Sequence, residues 1–288
     1  MRYLDKQTLK TKKVVNSYIE YWDDVISRWA NEGGVVPSSE ECWFLPKSKL
    51  RIELMPEPYW GNPDCCSAVL LNYNPGGPDG EPLPDDNCHI NNVLNADSMK
   101  MSGAMHACYS RIALEFPWLD EVARQDFTSN HIRTKDWMRQ RNGWISRLAK
   151  SDKRPFFLDL CGWHSKNWRL GKYTPEIKAY ISEHIIPVLD HAIRKSDLGI
   201  GLCVGKQLGD AVLGKLGFSE VTSELGFEIN DPARGWQPIP EVNRWYRVYR
   251  SSEGLYIINT WALGSNRQPG AQFKGKELEI IDKIKDIK

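Results

Sequence analysis

Four segments of this 288-residue chain gather the residue types that could do chemistry. The first is Asn72-Tyr73-Asn74-Pro75-Gly76-Gly77. Asn-Pro-Gly alone is a common turn, but here it follows directly on a short apolar run. A side-chain amide such as that of Asn74 can hold and orient a water, yet it cannot act as a general base. It therefore suits attack on a carbon that is already cationic, where water needs orientation more than deprotonation. The second segment runs from Asp159 through Trp163-His164-Ser165-Lys166. An ionised carboxylate can only accept hydrogen bonds, so Asp159 would select an amino donor on a ligand; it could equally cap its own loop or pair with Arg154 or Lys166. His164 could donate to a leaving group or a phosphate, and Tyr73 and Trp163 offer flat faces for stacking. The third and fourth segments are Val204-Gly205-Lys206 and Ser265-Asn266-Arg267, the latter a few residues after Asn259-Thr260-Trp261.

Each segment stands at the end of an apolar stretch of strand length. Residues 67–72, 154–160, 198–204 and 254–259 are short runs without polar alternation, the pattern of strands buried on both faces of a parallel sheet. Helical patterns fill the gaps. Val15, Tyr18, Ile19, Trp22, Val25, Ile26 and Trp29 recur at three- and four-residue intervals until Gly33-Gly34. Thr174 as an N-cap with Pro175 at the first helical position opens a helix whose apolar face is Ile177, Tyr180, Ile181, Ile185, Leu189 and Ala192. A last helix carries Leu278, Ile281 and Ile284. Strands alternating with helices predict an α/β fold: three layers, α/β/α, around a central and mainly parallel four-stranded sheet. The whole chain, 1–288, reads as one domain, with residues 1–60 a helical elaboration and 65–275 the core. In such a sheet ligands sit beyond the carboxyl ends of the strands, where all four segments fall.

In that setting the segments resemble the motifs of the uracil-DNA-glycosylase-like superfamily. Asn74-Pro75-Gly76 match the Gly-Ile-Asn-Pro-Gly motif of its mismatch-specific branch, with Asn72 in place of the leading glycine. Val204-Gly205-Lys206 looks like the superfamily's third strand entering a helix. Ser265-Asn266-Arg267 sits where the family has a loop that pushes a side chain into the duplex, although Asn259-Thr260-Trp261 replaces the usual His-Pro-Ser or Asn-Pro-Ser opening. The likeness spans about residues 65 to 275. It implies an enzyme that flips a pyrimidine-type base out of DNA and hydrolyses its N-glycosidic bond, leaving an abasic site; no lysine stands out as a Schiff-base nucleophile, so a monofunctional enzyme is expected. The likeness assigns water positioning to Asn74, base contacts to Pro75, Gly76 and Asp159, and DNA contacts to Ser265, Asn266 and Arg267; Tyr73 and Trp163 are candidates to stack on the flipped base, and Lys166 to contact DNA. Related enzymes hold an asparagine at the position of Asp159, where it reads uracil; a carboxylate there suits the 4-amino group of cytosine. Uracil-specific relatives hold a tyrosine at the position of Gly76, so glycine leaves room for a C5 substituent. Together these point to a C5-modified cytosine, as in some phage genomes, and to antiviral defence. Alternatives are a uracil or mismatch repair glycosylase, a non-catalytic DNA-binding module, and an enzyme acting on free nucleosides. No Gly-x-Ser-x-Gly elbow, Walker loop or Gly-x-Gly-x-x-Gly follows a predicted strand to support the last.

Bulk composition bounds these readings. Net charge is +1, so a polycationic DNA coat is excluded and any phosphate binding must be local. Arg133, Lys135, Arg139, Arg141, Arg147, Lys150, Lys153 and Arg154, interleaved with Trp137 and Trp144, could track phosphates or form a solvated helix face. Seven cysteines without paired spacing, two of them adjacent at Cys65-Cys66, predict free thiols, no metal and no cofactor. The early residues turn polar at once and no run spans a bilayer, so a cytoplasmic, membrane-free monomer with DNA as partner is expected.

Overall fold

The computed structural model describes residues 13–22, 24–25, 58–73, 145, 148–151, 153, 155–163, 175–204, 208–227, 245–261 and 276–287. The fold is α/β, and all four apolar runs form strands: β2 (Val69–Asn72), β3 (Phe156–Asp159), β4 (Gly201–Val204) and β7 (Tyr256–Trp261). They lie side by side in the order β3-β2-β4-β7, and every one of these three pairings is parallel.

The sheet is nevertheless not four-stranded. Three further strands bring it to seven: β1 (Tyr59–Trp60) on the edge of β3, β6 (Trp245–Arg250) on β7, and β5 (Ser219–Glu220) on β6. All three pair antiparallel, so the sheet is mixed. The expectation missed them for separate reasons. β1 and β5 are two residues long, too short to show any period. β6, Trp-Tyr-Arg-Val-Tyr-Arg, is dominated by aromatic and cationic residues rather than by an apolar run. It joins β7 through the turn 251–255, where Gly254 takes φ +79°, a conformation that costs glycine little.

Partners in the ladder share a face, so the registers sort the side chains. Val69, Leu71, Phe156, Leu158, Cys203 and Ile257 stand on one side, Leu70, Phe157, Leu202, Ile258 and Val248 on the other, and all are buried. Continuous apolar runs, rather than alternation, are what burial on both faces requires. On the first side lies the helical run 175–195. It begins at Pro175 as α2 (Pro175–Tyr180), widens into a π turn at Ile181–Ile185, and continues as α3 (Ile186–Lys195). The Ile186 N–H bonds back to the Ile181 carbonyl, one residue further than in an α-helix. Pro187 follows at once; its missing N–H and bulky ring would break an ordinary helix, and the wider turn before it lets the run continue. α3 lies hard against the sheet, since a Cβ at Gly201 would meet Ile193 Cδ1 at 2.7 Å.

The N-terminal helix α1 (residues 13–22) buries Val15, Tyr18 and Trp22, the face its spacing predicts. α4 (Lys276–Ile287) buries Ile280, Ile281 and Ile284. No helix among the described residues is long and apolar enough to cross a membrane.

Candidate functional site

At the carboxyl edge of the parallel strands the registers line up a row of side chains. Asn72 is the partner of Asp159 across β2 and β3. Leu71 pairs with Cys203, so one step on Val204 stands opposite Asn72; Val204 pairs with Thr260, and Thr260 with Tyr246. Asp159, Asn72, Thr260 and Tyr246 therefore share one face and one level at the rim. Asp159 is 1% exposed, Thr260 1% and Tyr246 6%, while Asn72 is half-buried. The β2–β3 pairing runs past the strands themselves: the N–H groups of Leu160 and Cys161 donate to the carbonyls of Asn72 (3.1 Å) and Tyr73 (2.9 Å). These bonds hold Asn72 and Asp159 in register just where the chain leaves the sheet. A parallel neighbour is about 4.8 Å away, so the amide and the carboxylate stand side by side, with both Asp159 oxygens covered.

The opposite face of the same rim is also polar. Cys203 donates its thiol to Asn259 Oδ1 at 3.2 Å, and Arg247 is the cross-strand partner of Asn259. Burial pushes the Cys203 thiol far above its ordinary range, so it stays protonated. The amide Nδ2 of Asn259 has no hydrogen-bond partner among the described residues. A Cβ at Gly209, in the π turn Leu208–Leu213 that follows β4, would collide with that amide and lie 2.9 Å from the Tyr249 hydroxyl. Glycine is what permits this segment to close on the sheet.

α1 braces the end of β3. Trp22 packs on Trp163 with ring centroids 6.4 Å apart, and Tyr18 on Tyr59 at 6.1 Å. A Cβ at Gly162 would meet Trp22 Cη2 at 2.8 Å and Pro58 Cβ at 2.9 Å. Burial raises the Tyr18 hydroxyl well above its ordinary value, and the negative charge of Asp159 adds to the effect after Tyr180 and Tyr59.

The structure brings together three of the residues singled out from sequence: Tyr73, half-buried against the core, Asp159 and Trp163. Trp163 is corrected. It is 0% exposed and sealed by Trp22, so its ring presents no open face for a base to stack on. Asn74, Pro75, Gly76, His164, Lys166, Ser265, Asn266 and Arg267 lie outside the described residues. Asn259 and Thr260 were noted at the end of the fourth strand, whereas Tyr246 and Arg247 on β6 were not recognised as members of the rim. The period-two order of β6 carried a signal for its members, with Arg247 and Tyr249 on one face.

Elsewhere, Cys65, Cys66, Cys161 and Cys203 are free thiols, and no three His, Cys, Asp or Glu side chains cluster to hold a metal among the described residues. A groove of about 930 Å³ opens at the amino edge of the sheet, between α3, residues 216–218 and the β6–β7 turn. Its Arg194 is engaged by Asp190 (2.8 Å) and Glu253 (3.7 Å), which leaves little field for an anion. No protein-family model, curated protein or solved structure matches the chain.

Proposed function

We propose that this protein is a DNA glycosylase that removes a cytosine-type base bearing a C5 substituent, as found in modified phage DNA, and so serves antiviral defence. The observation that carries the reading is a buried carboxylate, Asp159, registered beside Asn72 at the carboxyl edge of four parallel strands, two residues before Asn74-Pro75-Gly76 begins. Ligands of open α/β sheets are held at this edge.

The chemistry follows from these residue types. The target nucleotide leaves the duplex and its base enters the rim, where Asp159 accepts from the 4-amino group. Breaking the C1′–N1 bond builds cationic character on the sugar and negative charge on the base. Asn74 orients a water toward C1′ without needing to deprotonate it. His164 donates a hydrogen bond to the departing base, which lowers the cost of its charge. Ser265, Asn266 and Arg267 fill the gap left in the stack, and Lys166 meets a phosphate.

The test is abasic-site formation on short duplexes carrying uracil, a T·G mismatch, 5-hydroxymethylcytosine or its glucosylated form, with Asn74→Ala alongside. Alkali-labile cleavage on a cytosine-type substrate, lost in the variant, is the expected result. Release only from uracil or the mismatch would make the protein a repair glycosylase. No release with tight DNA binding retained would make it a binding module.

A further inference from the structure

We propose that the π turn Leu208–Leu213 is a cover at the carboxyl edge, closed in this structure over Asn259, and that lifting it gives the Asn259 amide to an oxygen of the ligand. The cover stands on the geometry alone; that the ligand is DNA rests on the glycosylase reading.

Asn259 is 0% exposed and stands near the end of β7, one residue before Thr260 and so on the opposite face. Its amide is only half used. Oδ1 accepts from the Cys203 thiol at 3.2 Å, while Nδ2 has no hydrogen-bond partner among the described residues. A buried donor left unpaired costs free energy, and an apolar side chain at this position would avoid that cost. Gly209 is what covers the amide: Nδ2 occupies the space that a Cβ on Gly209 would need. That space also lies 2.9 Å from the Tyr249 hydroxyl, so an oxygen entering it would meet two donors.

The covering segment can rearrange. The chain passes after β4 into a π turn, a rare geometry found mostly at functional sites, and a 3₁₀ turn, Gly214–Leu216, follows at once. Leu208 and Leu213 are buried and pin the two ends of the turn. Gly209 lies between them, where the backbone reorients at little cost. Closed, the turn shuts water out but leaves the amide unpaired. Open, it offers the amide to a partner. A ligand oxygen that reaches Nδ2 only in the open state shifts the balance toward it.

Two arms of the test need no ligand, and both use the full-length protein. Gly209→Ala puts a methyl group into the space of the amide, so the turn cannot close. Hydrogen exchange through residues 208–216 should quicken by about tenfold or more, while β2, β4 and β7 keep their protection. Asn259→Leu removes the unpaired donor at nearly the same shape, and the Cys203 thiol, a weak donor, loses little. The thermal midpoint should rise by about 2 °C or more, and exchange at 208–216 should slow. Unchanged exchange in Gly209→Ala, or loosening of the whole sheet with it, overturns the inference, as does a lower midpoint in Asn259→Leu. Should Asn259→Leu not fold, Gly209→Ala decides.

The third arm measures DNA affinity by fluorescence anisotropy at one fixed salt concentration. One duplex carries a 2′-fluoroarabino 5-hydroxymethylcytosine nucleotide, which resists C1′–N1 cleavage, and a second carries an abasic tetrahydrofuran at that place. Asn259→Leu should bind the first about tenfold more weakly than the unaltered protein does. A loss shared by both duplexes assigns the oxygen to a phosphate, and a loss confined to the first assigns it to the base. Equal binding by Asn259→Leu and the unaltered protein overturns the inference. If the unaltered protein binds neither duplex, the glycosylase reading fails, and the cover stands or falls on exchange and melting.

Discussion

The two edges of the sheet treat polar groups in opposite ways. At the amino edge each polar side chain is bonded to a close neighbour, with Lys153 and Asp197 exposed and His191 and Ser196 buried. Asp197 accepts from Lys153 Nζ (2.5 Å) and Ser151 Oγ (2.5 Å), and His191 meets Asp64 at 2.7 Å. Ser196 accepts from the Gly199 N–H and donates to the Ile193 carbonyl, tying the end of α3 to the start of β4. These are the bonds of turns and helix ends, and their job is to close the chain. At the carboxyl edge Asp159, Asn259, Thr260 and Arg247 are buried in ranks across strands, and helix α1 is spent on bracing the rim. Burying a carboxylate and a guanidinium costs free energy, so a fold that needed only stability would have placed apolar residues there. The difference supports the proposed ligand site at the carboxyl edge.

The largest effect that can break this contrast comes from the brace. Trp22→Ala removes a nearly fully buried indole packed on Tyr18, Tyr21 and Trp163. A loss of about 3–5 kcal/mol in urea unfolding is expected, together with loss of base release. A small loss would make α1 an ornament. Gly162→Ala comes next. Its methyl group would press on Trp22 and Pro58 just after Asp159, so about 1–3 kcal/mol of stability should be lost, with base release falling more than DNA binding. Equal loss of both would deny the rim its special place.

The smallest effect belongs to the amino edge. The Lys153 ammonium holds the Asp197 carboxyl below its ordinary 3.8, with Ser151 helping, and Asp197 raises Lys153 above 10.5. A depressed acid contributes stability above its unfolded value, lost as pH falls through the lower folded one; a raised base contributes below its unfolded value, lost as pH rises through the higher folded one. The difference between wild type and Lys153→Ala should thus be flat from about pH 4 to pH 10 and shrink outside that window. The pair is solvent-exposed, so the difference should be slight and fade with salt. A large, salt-insensitive loss would contradict the contrast.

How far the sequence discloses all this depends on what each segment reports. The strands β2, β3, β4 and β7 were legible because burial on both faces leaves no polar alternation to confuse the signal. The start at Pro175 was legible from capping chemistry, whereas the π turn at Ile181–Ile185 was not, since Pro187 breaks the usual register. Asp159 could be picked out by its place at the end of a run, yet its neighbour Asn72 was read only as a departure from a motif. Their pairing depends on β2 and β3 being adjacent, and eighty-odd residues of intervening chain hide that from any local pattern. Trp163 was misread for a related reason: its cover, Trp22, comes from the far N-terminal helix.

The most direct test compares one variant from each edge under single-turnover conditions, on a duplex containing glucosylated 5-hydroxymethylcytosine. Wild type and Lys153→Ala should form abasic sites at the same rate, and Asp159→Asn should be slower by about a hundredfold or more. Equal rates for wild type and Asp159→Asn, or an equal loss at both edges, would contradict a base-reading site at the carboxyl rim.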